Sequence, residues 1–495
     1  MRRFHFDRAL TVAALVAVLL PACSEGSPTA FERTYGGPVD DLCLSVAQTA
    51  DSGYVLAGAT ESFGAGDFYC YVVKAGPRGD TQWTRTFGGP HFDGGWSVVQ
   101  TVDSAYVVTG YTCSVDTLGD AWLIKIDANG ETVWSRTYDD TLGSSGMSVQ
   151  QTHDGGFVIT GRASFFGPGG PDVLLIRTDS IGDTLWTRTY GGAGDDEGNS
   201  VQQTADGGYI IAANTSSFGL GSQVVWLIKT DSMGDTMWTR TFGDDSFANA
   251  ASAQQTTDGG YMVSGWTWPY SGSPQLCLIK TDAGGDTLWT QTIGKPGSWL
   301  QAHSAEQVAD GGYVIAGDCQ AQDGTVSLPG ILLVRTNASG DTLWTRAFGG
   351  ADFDACYSVH QTADGGYIIG GQTYSFGAGM SDFYLIKTDE NGNVAVAEPK
   401  SGSPGKPILS IVCSPNPFSS GTRISLSSQA SHSKSLALFV YDAQGRLVRT
   451  LAASQATQTM WDGKNDSGQL LPSGTYIVRC AGGGEHVTTR VVLQR

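Results

Sequence analysis

The sequence predicts an all-β protein, a seven-bladed β-propeller followed by a smaller β domain. Three observations carry this. One unit of roughly 52 residues recurs seven times between Phe31 and about Val396, and a fixed period of that length marks a propeller or solenoid array. Each unit breaks into short β-branched and aromatic runs with turn residues between them, as in Thr184 to Tyr190, Ser200 to Thr204, Tyr209 to Ala213 and Val225 to Thr230, and none holds a ten-residue helical pattern. The run Phe31-Glu32-Arg33-Thr34-Tyr35-Gly36-Gly37 repeats the last strand of a unit, Trp83-Thr84-Arg85-Thr86-Phe87-Gly88-Gly89, with no companion strands in front of it.

Taken in order, residues 1–23 read as a signal peptide, because Arg2, Arg3 and Arg8 precede an apolar run from Ala9 to Leu20 that is too short to span a bilayer. The propeller occupies 31–396. Its strand A carries a Ser (Ser45 through Ser358), with a Gln three residues on (Gln48 through Gln361) and an Asp three further (Asp51 through Asp364). That Asp opens the turn to strand B, as in Asp206-Gly207-Gly208-Tyr209, and a type I′ turn is expected there. Strand C is the Leu-Ile-Lys run and strand D the Trp-x-Arg run. The last unit has strands A to C but degrades at Asn391-Gly392-Asn393-Val394. The orphan N-terminal strand is therefore expected to complete it and close the ring without a long exposed edge. Residues 397–407 form a Pro/Gly/Ser linker, and 408–495 a second domain.

Several stretches resemble known families. Leu20-Pro21-Ala22-Cys23 resembles a bacterial lipobox, which makes Cys23 a lipidation site; a plain signal peptide cut near Ala22 is the alternative. Ser414-Pro415-Asn416-Pro417-Phe418, Val440-Tyr441-Asp442-Ala443-Gln444-Gly445-Arg446, Trp461-Asp462-Gly463-Lys464-Asn465-Asp466-Ser467-Gly468 and Ser473-Gly474-Thr475-Tyr476 resemble the Ig-like module of flagellar-hook capping proteins and type IX secretion C-terminal sorting domains. That likeness implies an Ig-like β-sandwich with a sorting or attachment role and no catalytic residues. The propeller units are similar to repeats of uncharacterised bacterial secreted proteins and lipoproteins, some labelled endoglucanase, and in strand order to pyrroloquinoline-quinone-type repeats, without carrying over a cofactor site.

Composition fits an exported protein. The formal charge is −19, mostly on the propeller, since 407–495 has eight basic and four acidic residues; such a balance repels nucleic acid and anionic lipid. Membrane contact is then expected only through a lipid anchor, and the location at the outer membrane, the cell surface or outside the cell. The nine cysteines show no close-spaced metal pattern. Cys43 and Cys356 share one repeat position across the closure, so they form either a disulfide staple or two buried thiols, and Cys413 and Cys480 pose the same choice in the last domain.

Residues present in all seven units serve needs that all blades share, so the Ser, Gln and Asp rings are expected to be turn and hydrogen-bond devices. Strand D is expected to pack between blades. Function is sought where units differ, on the face of the B–C and D–A loops. There Asp41, Asp93, Asp196 and Asp354 precede the Ser by four residues. They suit a hard cation such as Ca2+, a polyol, or plain solvation, and no other cofactor is implied. Trp266, Trp268 and Tyr270 break the pattern in unit five and suit stacking on a sugar or anchoring a protein. No metalloprotease, nucleophile-elbow or phosphate-loop motif is present. The expected function is non-catalytic binding or scaffolding of a glycan or surface protein by a monomer. The alternative is a glycoside hydrolase using loop-face carboxylates.

Overall fold

The computed structural model describes residues 30–64, 67–114, 119–138, 143–164, 169–220, 222–243, 247–269, 272–294, 298–321, 330–394, 409–428, 436–442, 446–453, 458–482 and 485–495. The stretch expected to be a signal peptide, with Cys23, the expected linker 397–407 and Tyr270 lie outside them. Seven four-stranded antiparallel sheets account for 31–388. Blade four is representative: Asp196–Gln203, Tyr209–Thr215, Val224–Thr230 and Thr236–Phe242 follow one another in space as in sequence. First strands of adjacent blades pack against each other around the ring, which makes them the innermost. Second and third strands are buried almost throughout, while the fourth alternates exposed and half-buried.

The recurring residues build this ring, as their recurrence implies. At every seam the Gln side chain accepts a backbone N–H from the turn of the preceding blade, from Ala50 to Gln100 Oε1 (2.7 Å) round to Ala363 to Gln48 Oε1 (2.9 Å). The Ser hydroxyls of five blades accept an N–H from the next inner strand, and across the closure Ser358 Oγ donates to the Val46 carbonyl at 3.3 Å. The turn Asp pairs with the Lys or Arg of strand C in all seven units. In strand D, Trp186 meets Tyr209 of the next blade edge-on at 5.9 Å, Arg188 lies 5.4 Å over that indole, and Tyr190 donates its hydroxyl proton to the Gly234 carbonyl at 2.6 Å. The A–B turn departs from expectation. Gly207 N–H bonds Thr204 O, and of the turn residues Ala205, Asp206 and Gly207 only Gly207 has positive φ (84°), so this is a three-residue loop with a left-handed glycine and not a type I′ turn.

Closure occurs as the repeat predicts. Phe31–Tyr35 pairs antiparallel with Asp382–Thr388, Phe31 opposite Lys387 and Tyr35 opposite Phe383, and completes the sheet of blade seven. No disulfide staples the seam, because both Cys43 and Cys356 are free and fully buried. Each thiol points in the same rotational sense: Cys43 packs on Gly370 of blade seven, and Cys356 donates to the Gly317 carbonyl of blade six at 3.3 Å. The two therefore never face each other. Cys413 and Cys480 are likewise free and pack within the core of the last domain.

That domain is a sandwich of a three-stranded sheet (Leu409–Ser414, Thr422–Ser428, Gln458–Trp461) and a four-stranded sheet in the order Leu447–Ala453, Leu436–Tyr441, Gly474–Gly482, Glu485–Leu493. Trp461 is fully buried between Phe418 (5.3 Å) and Tyr476 (5.2 Å). The family-like motifs hold this frame together. Asn416 bonds the backbone of Arg490 and Val492, the Asp442 carboxylate receives the backbone and side chain of Arg446, and Asn465 accepts the Gln469 N–H.

Candidate functional site

The four acids proposed from sequence are not displayed to solvent. Each is the first residue of an inner strand, and Asp41, Asp93, Asp196 and Asp354 are at most 1% exposed. Asp41 receives Gly37 N–H at 2.7 Å, Ser62 Oγ at 2.7 Å and the Thr60 hydroxyl, so it ties the D–A connection to the B–C loop. Asp93 and Asp354 do the same with Gly89, Ser114 and Thr112, and with Gly350, Ser375 and Thr373. In unit three Ser144 takes the place of the acid and fastens the strand differently, to strands C and D of blade two, accepting from Ala121 N–H and donating to the Tyr138 carbonyl. These acids are therefore fasteners of the scaffold. Asp196 keeps the Gly192 and Ser217 contacts, but its buried Oδ1 has no partner. Asp172 of blade three, whose carboxyl burial and then the Asp196 charge push above the usual range, flanks Gly191 together with it. Among the described residues no group of three or more His, Cys, Asp or Glu is arranged to hold a metal ion.

The aromatics of unit five do reach the loop face. Trp266 is half-buried against Phe247 at 5.1 Å, and Trp268, 42% exposed, meets Trp299 of blade six edge-on at 5.0 Å and donates its indole N–H to Gly272 O. Packing within and between blades explains most of this contact, and leaves one face of Trp268 to solvent.

A different set of side chains diverges systematically. Every inner strand slips register at one residue just before the invariant Ser, a β-bulge that leaves an unpaired residue. The bulged residues are Leu44, Trp96, Met147, Asn199, Ala251, His303 and Tyr357, seven different types at one rung of the innermost strands. They meet across seams: the rings of His303 and Tyr357 are 5.3 Å apart, and Asn199 Nδ2 donates to Ala250 O at 2.7 Å. One rung nearer the loop face, strand B is equally varied. Tyr111 stacks parallel to Trp96 at 6.3 Å, His303 Nε2 donates to Asp318 Oδ2 at 2.8 Å while Asp318 Oδ1 accepts the Cys356 N–H, and burial raises the Glu197 carboxyl despite Arg162 opposing it. Two adjacent rungs of mixed aromatic, amide, acidic and basic groups thus line the inner wall on the side where the B–C and D–A loops lie. Sequence reading misses them because a bulge is visible only once the register is known, although their variation at a fixed offset from the Ser is a readable signal.

Comparison with known proteins bears on the two domains separately. Residues 414–484 match the FlgD Ig-like domain family. The chain ends in a FlgD Ig-like domain. No curated protein is similar to the chain by sequence. Solved structures similar to the chain include the WD40 domain of Neurospora crassa Pan2 (9% identity, 73% of this chain and 96% of that one, TM-score 0.44), a protein of unknown function from Dyadobacter fermentans (12%, 73% and 99%, TM-score 0.41) and a fungal alcohol oxidase of the AA5 family in complex with copper (13%, 94% and 100%, TM-score 0.45).

Proposed function

We propose that this is a surface-exposed or secreted binding protein whose propeller holds a glycan at the two divergent rungs of its inner wall, without catalysis. The observation that carries the reading is a contrast: side chains that build the ring are repeated in unit after unit, whereas those at the bulge differ in every blade. Flat aromatic faces such as Trp96 on Tyr111, beside Asn199, His303 and Asp318, are the groups that recognise sugar rings and their hydroxyls. The glycoside hydrolase reading loses support, because the four acids it relied on are buried and engaged in the scaffold. Export and surface attachment belong to the same proposal, supported by the signal-like residues 1–23 and the C-terminal Ig-like domain.

A glycan array probed with the whole chain, together with a hydrolysis screen of the bound glycans, tests this. Capture of one glycan class without product release is expected. Trp96→Ala should weaken that capture about tenfold, equivalent to about 1.4 kcal/mol, in line with one lost aromatic contact, while Asp93→Ala should lower the melting temperature and spare affinity in the folded protein. Release of shortened sugars would favour the enzyme; a blank array with retention of a surface protein would replace the glycan by a protein ligand.

A further inference from the structure

Blade seven departs from the other six on its outer strand. Thr84, Ser135, Thr187, Thr239, Thr290 and Thr345 follow the strand-D Trp of units one to six, and all are exposed. Glu32 takes that place in the closing strand, and it is half-buried. The strand as a whole is more covered than its counterparts, with Phe31 and Tyr35 buried at its two ends. Phe376 repeats the pattern in the B–C loop, being half-buried where its equivalents Phe63 and Phe218 are 38% and 42% exposed.

Arg479, on strand Gly474–Gly482 of the Ig-like domain, is the side chain found there. Its guanidinium lies 5.6 Å from the centroid of the Phe376 ring. It is also the charge opposing Glu32, whose carboxyl burial raises and Arg479 partly brings back down. Tyr441 of the neighbouring strand Leu436–Tyr441 hydrogen-bonds Arg479 and positions it. We propose that the C-terminal Ig-like domain latches the ring shut, seating Arg479 against Glu32 on the one strand of the propeller that is remote in sequence from the rest of its blade. Opposite charges brought close at a half-buried place add little net stability because desolvation offsets the attraction, but losing one leaves the other uncompensated. The pair therefore fixes where the domain docks, and the docked domain covers the closing strand.

Hydrogen–deuterium exchange on the full chain tests the latch. Arg479→Ala should speed exchange of the Phe31–Tyr35 amides at least severalfold and leave the outer strands of blades two to five unchanged. Glu32→Thr, which installs the residue type of the other units, should do the same. Single charge reversals, Glu32→Arg or Arg479→Glu, should be worse, and the two together should recover protection. Wild-type protection of Phe31–Tyr35 in Arg479→Ala would overturn the proposal, and so would a double reversal no better protected than either single one.

Discussion

Asp103, Asp206 and Asp258 each face a lysine that is 12% exposed or less, while their own carboxylates stay more than half exposed. The ammonium is the group brought out of water, and the turn carboxylate is its compensation. The Lys125 ammonium, then the Thr101 hydroxyl, hold the Asp103 carboxyl down at about 2; at Asp206 and Asp258 burial raises it, and the Thr and Lys hydrogen bonds outweigh that to reach about 2. A carboxyl lowered in the folded state contributes stability above its unfolded value of about 3.9 and loses that contribution as pH falls through the folded value. The contribution of these three pairs to thermal stability should thus be flat from neutral pH to about 5 and fall between roughly pH 4 and 2. Melting curves across that range check it, and the acid slope should be shallower in Lys125→Met, where Asp103 has no cation to lose.

The turns between strands separate two uses of glycine. Gly207 has φ 84° and open space where a Cβ would go, whereas Gly234, at φ 79°, would bring a Cβ to 2.8 Å from the Trp186 ring of the preceding blade. Gly207→Ala should cost about 1–2 kcal/mol, the left-handed penalty alone. Gly234→Ala should cost about 1–3 kcal/mol more, since that indole is wedged against Tyr209 and cannot retreat. Urea unfolding of the two variants, made in one blade, gives the difference directly. At this scale the sequence is most readable: the Ser, Gln and Trp spacings announce four strands per unit because each ring repeats one physical contact. Asp41 and its counterparts mislead because variation among units resembles variation of a ligand set. Ser144 shows that a fastener can vary too, since its hydroxyl ties the same strand position to strands C and D of blade two. Trp96, Asn199 and His303 escape notice for the opposite reason, as each looks unremarkable until the bulge places all seven at one rung.

Across the whole molecule, one seam differs in kind from the others. Blades one to six each carry their own four strands in sequence, but blade seven borrows Phe31–Tyr35, the strand that leads into blade one, so the ring is shut inside blade seven, where this strand and Asp382–Thr388 are held together only by pairing and packing. Phe31 meets Tyr54 of blade one edge-on at 5.9 Å, and the Tyr35 hydroxyl donates to the Gly79 carbonyl of that blade at 2.7 Å. Burying these two rings is worth about 3–5 kcal/mol, before counting the strand pairing. Deleting residues 31–37 removes this and leaves Asp382–Thr388 as a bare edge. Because inner strands support each other around the ring through the Gln and Ser contacts, an opening at this seam should lower the melting temperature of the entire propeller and broaden its transition, not just loosen blade seven. A synthetic peptide of residues 30–40 added in trans should pair with the vacated edge and restore much of the loss. An unchanged melting curve in the deletion variant would show that the ring closes without this strand.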